Sequence, residues 1–158
     1  MIAPSSPRSN RYRARMRLDV EPSLDPAMYA FVHRIRVRFA ETDAMGIVHH
    51  SNYLLYLEEA RVAYLRALDK PYTALRQEGV DHAVLECFVQ YRRTLAFDDE
   101  VDVHLVLAGT TRATFQIAYM LTVGGEIRAT AITVHGAVNA QGRPVRLPPW
   151  LLALRSSD

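Results

Sequence analysis

Residues 38–68, RFAETDAMGIVHHSNYLLYLEEARVAYLRAL, constrain the fold more than any other stretch of the chain. Apolar side chains recur at Tyr53, Leu54, Leu57, Ala60, Tyr64, Leu65 and Leu68. That spacing matches one buried stripe on a long helix with a period near 3.6. Ser51 and Asn52 stand where an N-cap is expected. Just ahead of them a short polar turn carries Asp43 and Gly46. A carboxylate is thereby set before a helix N-terminus, where unpaired amide N–H groups and the helix dipole favour negative charge. A base or nucleophile beside a ready-made oxyanion site suits hydrolysis.

A helix with a single apolar stripe needs a surface to cover it, and the rest of the chain reads as a sheet. Residues 33–39 alternate, with Ile35, Val37 and Phe39 on one face and Arg34, Arg36 and Arg38 on the other. The helix is expected to end near Asp69, before Pro71, with another turn or two over residues 72–78. Four segments of strand character follow at 84–93, 100–108, 113–123 and 127–138, rich in Val, Ile, Thr, Phe and Tyr. Gly109-Thr110-Thr111-Arg112 and the tight hairpin signal Gly124-Gly125 separate the last three. Strand, long helix and a four-stranded antiparallel meander predict an α+β architecture, a five-stranded antiparallel sheet wrapped around one central helix. One open sheet edge would remain, and pairing it with a second copy about a two-fold axis predicts a homodimer.

Composition bounds this reading. A chain of 158 residues with 49% hydrophobic content supports one domain with a real core. No apolar run approaches the roughly 18 residues of a membrane span, so a protein without such a span is expected. The lone Cys87 excludes an internal disulfide framework and suits a reducing cytoplasm, and its apolar strand context predicts a core position. The formal charge of +2 is unevenly spread: residues 1–17 hold five arginines and no acid, leaving 14 bases against 17 acids elsewhere. The body is mildly acidic, and a nucleic-acid partner is not expected. Residues 1–28 are read as a disordered Arg/Ser/Pro-rich tail and 29–154 as the single folded domain. A transit peptide, an early start codon or contact with an anionic surface would share the tail's composition.

The stretch FAETDAMGIVHHSNYLLYLEEARVAYL resembles the signature of 4-hydroxybenzoyl-CoA thioesterase-like hotdog proteins. Asp43, Gly46, Val48, Asn52, Tyr53 and the Glu59-Ala60-Arg61 run carry the resemblance, and the order of elements extends it over residues 31–147. It implies a hotdog fold, homodimers that often pair into homotetramers, and hydrolysis of acyl-CoA thioesters. By the same resemblance Asp43 is the catalytic carboxylate, acting as nucleophile or as general base. The oxyanion donor falls on the backbone N–H of His50, whose side chain matches a histidine of one branch. Members of that branch often carry tyrosine where this chain has Phe39, so one hydroxyl of their network is missing here.

A thioester asks for little else, because thiolate is a good leaving group. No metal is required, and no cofactor beyond the coenzyme A carried by the substrate. His49 and His50 are neighbours whose side chains should point apart, without HExxH or a Cys/His cluster. Tyr53, Tyr56 and Tyr64 read as packing residues, with Tyr53 also in the family motif. Glu59 and Arg61 read as a structural charge pair, with Glu59 also a candidate to assist water. Coenzyme A carries a pyrophosphate and a 3′-phosphate, for which arginine's fork of donors is suited. Related proteins place basic groups at positions matching Arg112 and the segment of Arg143 and Arg146, while Arg92 and Arg93 close a strand. There is no Walker A or GxGxxG loop. Two other readings remain: hydrolysis of acyl-carrier-protein thioesters, whose acidic carrier would meet those arginines, and acyl-CoA binding without turnover. The acyl group is open, and Phe88, Tyr91, Phe97 and Phe115 suit aromatic or aliphatic chains.

Overall fold

In the computed structural model, which describes residues 20–154, β1 runs over Phe31–Arg36 and is shorter than the alternating pattern predicts. Ile35 and Val37 are buried as expected, but Phe39 is 75% exposed. A 3-10 turn at Phe39–Glu41 ends the alternation and rotates Phe39 outward, where its ring meets Phe97 edge-on at 5.7 Å. Of the expected tail, residues 1–19 lie outside the described residues. Residues 20–28 include a 3-10 turn, Pro26–Met28, whose Ala27 N–H donates to Asp25 at 2.9 Å.

The long helix α1 spans Asn52–Ala67 and a shorter helix α2 spans Tyr72–Gln77. Tyr53, Tyr56, Leu57, Ala60 and Leu65 form the buried stripe of α1, while Leu54 is exposed. Neither expected cap residue works as one. Ser51 has helical backbone angles and makes no capping hydrogen bond, and its hydroxyl pairs with His49 Nδ1 at 2.8 Å. The Asn52 side chain donates to the Glu41 carbonyl instead.

Four strands follow: β2 (Asp81–Tyr91), β3 (Glu100–Thr110), β4 (Thr114–Val123) and β5 (Glu126–Val138), with α3 (Pro149–Leu154) near the end. Their order in the sheet is β1-β3-β4-β5-β2, all antiparallel. Only β3, β4 and β5 form a meander, so the expected four-stranded run is corrected: β2 pairs with β5 at the far edge, and two edges are open rather than one. The helical excursion through α1 and α2 carries the chain from one edge to the other, and residues 92–99 carry it back. Gly124 and Gly125 make the predicted tight hairpin with φ of 57° and 82°. This is the hotdog arrangement, with one long helix held in a curved sheet.

The helix-facing rows follow from strand register. Val101, Val103, Leu105 and Leu107 of β3 stand beside Ile117, Tyr119 and Leu121 of β4, next to Ala129 and Ala131 of β5. All are buried in one cluster with Leu57 and Ala60 of α1. Burying each such Leu or Ile is worth about 1.5–3 kcal/mol, which is why the helix stays docked. Cys87, expected in the core, is exposed on β2 because that strand has a neighbour on one side only.

One polar layer interrupts this core. Arg61 is 5% exposed, its guanidinium 5.4 Å from the Tyr72 ring centre. Glu59 pairs with His33 at 3.1 Å instead of with Arg61, since residues two apart on a helix point in different directions. Near Arg61 lie His82 of β2 and His135 of β5, with Phe115 between their rings at centroid distances of 4.8 and 4.7 Å. His135 Nε2 pairs with Thr133 at 2.7 Å. Burial first, then the Arg61 charge, lowers His82 to about 4 and His135 to about 3; Asp81 partly opposes this at His82. Both rings are neutral in the folded protein and protonate more readily unfolded, near 6.5. Their contribution to stability is therefore intact above pH 6.5 and is lost as pH falls toward 4. Each histidine adds a slope of at most about 1.4 kcal/mol per pH unit. Urea unfolding between pH 7 and 4.5 should show stability falling with acid, and the H82Q/H135Q double variant should flatten that slope.

Candidate functional site

A cavity of about 380 Å³ opens at the N-terminal end of α1. It is lined by Asp43, Met45, Ile47, Val48, His50 and Tyr53 from the turn and helix start, and by Tyr91, Arg92, Arg93 and Thr94 from the end of β2. The two walls are joined by backbone: Val48 N–H donates to the Leu95 carbonyl at 2.8 Å, and Ile47 bridges Ala96.

The turn itself is built by Asp43 and Gly46. Asp43 N–H donates to the Ile47 carbonyl and Gly46 N–H to the Asp43 carbonyl, each at 2.9 Å. The Met45 N–H donates to Asp43 Oδ1 at 2.8 Å, which fixes the carboxylate over its own turn. Gly46 adopts φ of 74°, a left-handed conformation that disfavours a side chain. Nothing lies within 4 Å of a Cβ built there, so backbone strain alone opposes another residue.

On the helix side, His49 and His50 do not point apart as expected: their ring centres lie 4.1 Å from one another, with the planes tilted by 36°. Among the described residues no hydrogen bond takes up the His50 N–H, while His49 N–H donates to the Glu41 carbonyl at 2.9 Å. The His50 carbonyl accepts from the Tyr91 hydroxyl at 3.1 Å. Tyr91 also meets Tyr53 edge-on at 4.9 Å, so the two rings form an aromatic wall. Burial raises the Tyr53 hydroxyl above its ordinary range, with a hydrogen bond from the Leu95 backbone opposing.

The sequence-predicted residues divide into two sets. Asp43, His50, Tyr53 and Arg93 share the cavity wall, and Gly46 forms its turn. Glu59 is bound to His33 and is not among the lining residues. Arg112, Arg143 and Arg146 are exposed and outside the cavity. They gather at the opposite end of the sheet: Leu147 N–H donates to the Arg112 carbonyl, and Ala137 N–H to that of Ala113. Along β5, Ala129 pairs with Tyr91 at the cavity end and Val138 with Asp81 at the other. Nine residues of strand separate the two ends, roughly 30 Å. At the cavity mouth Arg93 pairs with Glu126 at 2.8 Å, and Arg128 with Glu126 at 3.2 Å.

Two contributors were missed in the sequence. Arg128 ties down the loop, donating to the Thr94 carbonyl at 2.9 Å while its own carbonyl accepts from Arg92 and Arg93. Its polar place in an apolar strand was the available signal. Glu41 is 5% exposed. Its carboxylate accepts from Arg38 N–H at 2.8 Å, from the Arg38 guanidinium and from the Tyr56 hydroxyl at 2.6 Å. Burial alone would raise this carboxyl; the Tyr56 and Arg38 hydrogen bonds and the Arg38 charge outweigh it and hold it below the usual range. Nothing in an alternating pattern announces a buried glutamate.

Gly46→Ala should lower stability by about 1–2 kcal/mol, the strain of a left-handed alanine. Urea unfolding checks this; an unchanged midpoint would mean that the turn relaxes freely.

The thioesterase-like superfamily model matches residues 37–154. A 1,4-dihydroxy-2-naphthoyl-CoA hydrolase of Prochlorococcus marinus is 30% identical over 129 residues, covering 77% of this chain and 85% of its own. Among solved structures, a hypothetical protein from Aquifex aeolicus is 40% identical with a TM-score of 0.75, covering 78% of this chain and 98% of that one. A thioesterase of Thermus thermophilus, solved with coenzyme A and Zn, is 27% identical with a TM-score of 0.70, covering 81% and 93%. The chain belongs to the thioesterase-like superfamily and is a hotdog-fold thioester hydrolase.

Proposed function

We propose that this protein hydrolyses acyl-CoA thioesters to free acid and coenzyme A, with Asp43 as nucleophile or general base and the His50 N–H as oxyanion donor. The observation carrying this reading is that Asp43, His50 just ahead of α1 and Tyr53 in its first turn line one cavity. With Asp43 as base, its carboxylate takes a proton from water as the oxygen attacks the thioester carbon. The carbonyl becomes an oxyanion held by the helix-start amide, and its collapse breaks the C–S bond. The departing thiolate then takes up the proton. With Asp43 as nucleophile, the carboxylate displaces the thiolate and water hydrolyses the resulting anhydride. One oxyanion donor is typically worth about 3–4 kcal/mol of the barrier. The His50 ring is suited to polarising water or substrate, and Tyr53, Tyr91 and Ile47 supply an apolar wall for the acyl group. No step requires a metal or a cofactor beyond the coenzyme A of the substrate.

A homodimer paired along β2, assembling further into a homotetramer, accompanies this reading. Val84, Leu85, Phe88 and Tyr91 of β2 are each between 37% and 50% exposed, so apolar side chains stand on both faces of an open edge. The opposite edge is guarded by charge: Arg34 pairs with Asp102 at 2.7 Å, and Arg36 with Asp98 and Glu100. Two antiparallel β2 strands would bring the Arg112, Arg143 and Arg146 end of one copy toward the cavity end of the other. The basic rim for the nucleotide would thus be supplied in trans. The lone exposed thiol suits a reducing cytoplasm, the compartment we assign. The same arginines could serve an acidic acyl carrier protein, which is the second reading.

Thiol release from a panel of short, long and aromatic acyl-CoAs tests the proposal. Asp43→Ala and Asp43→Asn should each lose at least about 100-fold in kcat with the fold intact. Retained turnover would exclude the carboxylate mechanism. Binding without release by the natural protein would leave carrier-protein thioesters, then an acyl-CoA binder. Phe88→Glu should convert a dimer to a monomer by sedimentation and weaken coenzyme A binding. A monomeric natural protein would contradict the trans rim.

A further inference from the structure

We propose that Glu41 is a positioning residue that sets the spacing between the Asp43 carboxylate and the helix-start amide. The inference rests on the reading of Asp43 and His50 given above. Its starting point is a charge in an expensive place. A carboxylate removed from water is costly unless fully paired, and an apolar residue of similar volume often serves packing as well or better. The Glu41 carboxylate takes the Arg38 N–H two residues past β1, the Arg38 guanidinium, and the Tyr56 hydroxyl one turn into α1. Its backbone carbonyl takes the His49 N–H at 2.9 Å and Asn52 Nδ2 at 2.8 Å.

One residue thus binds the last turn of chain before Asp43, the residue before His50, and the first and second turns of α1. Asp43 lies two residues after Glu41, and His50 directly follows the tethered His49. The two reactive groups therefore hang from a common anchor by one or two residues each. The anchor touches neither of them and is absent from the cavity wall, so its action is on geometry. Misplacing a reacting group by about 1 Å can cost on the order of 100-fold in rate.

Asn52→Ala removes one tether and leaves the Glu41 carboxylate paired, and Tyr56→Phe removes one carboxylate partner while keeping the ring. Both should fold, with kcat reduced about 10- to 100-fold and KM changed less than about threefold. Amide hydrogen exchange without substrate should quicken at residues 43–52 and be unchanged in β3 to β5. This readout needs no turnover, so it decides the anchor even if no thioester is hydrolysed. Unchanged exchange at 43–52, faster exchange throughout the sheet, or a rise in KM with kcat intact would each overturn the proposal.

Discussion

The structure depends on burying one face of α1 against a curved sheet. Tyr53, Tyr56, Leu57 and Ala60 cannot all leave water unless β3, β4 and β5 present a continuous apolar surface beneath them, and register supplies it. That docking fixes where the helix begins. The chain passes from β1, which ends at Arg36, into α1, which begins at Asn52, through residues 37–51, whose backbone groups have few ladder partners. Asp43, Gly46 and Glu41 satisfy those groups locally. The candidate site is therefore a consequence of entering the helix: a carboxylate, a left-handed glycine and the His50 N–H are brought to one cavity by the turn that leads into α1.

The sheet's two edges are treated differently, and function is tied to the difference. Ion pairs line β1 and discourage strand addition there, whereas β2 is open and apolar. The cavity lies at the end of this apolar strand, and the exposed arginines lie at its other end. A second copy along β2 would cover the exposed apolar side chains of that edge and complete the basic rim in one step. On this view assembly and substrate recognition share one surface, and loss of either should impair both.

Much of this was legible in the sequence. Period-3.6 spacing located α1, period-2 alternation found β1, strand-forming composition found the later strands, and Gly124-Gly125 fixed the last hairpin. What stayed hidden were facts that depend on neighbours distant in sequence. Phe39 continues an alternation that the chain abandons at a 3-10 turn. Cys87 and Phe88 sit in an apolar strand that becomes an edge, because local pattern does not say which strand pairs with which. The motif located Asp43, Gly46 and His50, but spacing along the chain could not say that Arg112 and Arg146 stand a sheet's length from them. Glu41 was unreadable for the opposite reason: a glutamate looks like surface until Tyr56 and Arg38 are seen to enclose it.

The most direct test of the account is a crystal structure of the protein with a non-hydrolysable acyl-CoA analogue in which a ketone replaces the thioester. The account predicts the ketone oxygen within about 3 Å of the His50 N–H, the Asp43 carboxylate within reach of the carbonyl carbon or of a water beside it, and the acyl chain against Tyr53 and Tyr91. An analogue bound elsewhere, or with its carbonyl turned away from the start of α1, would contradict it.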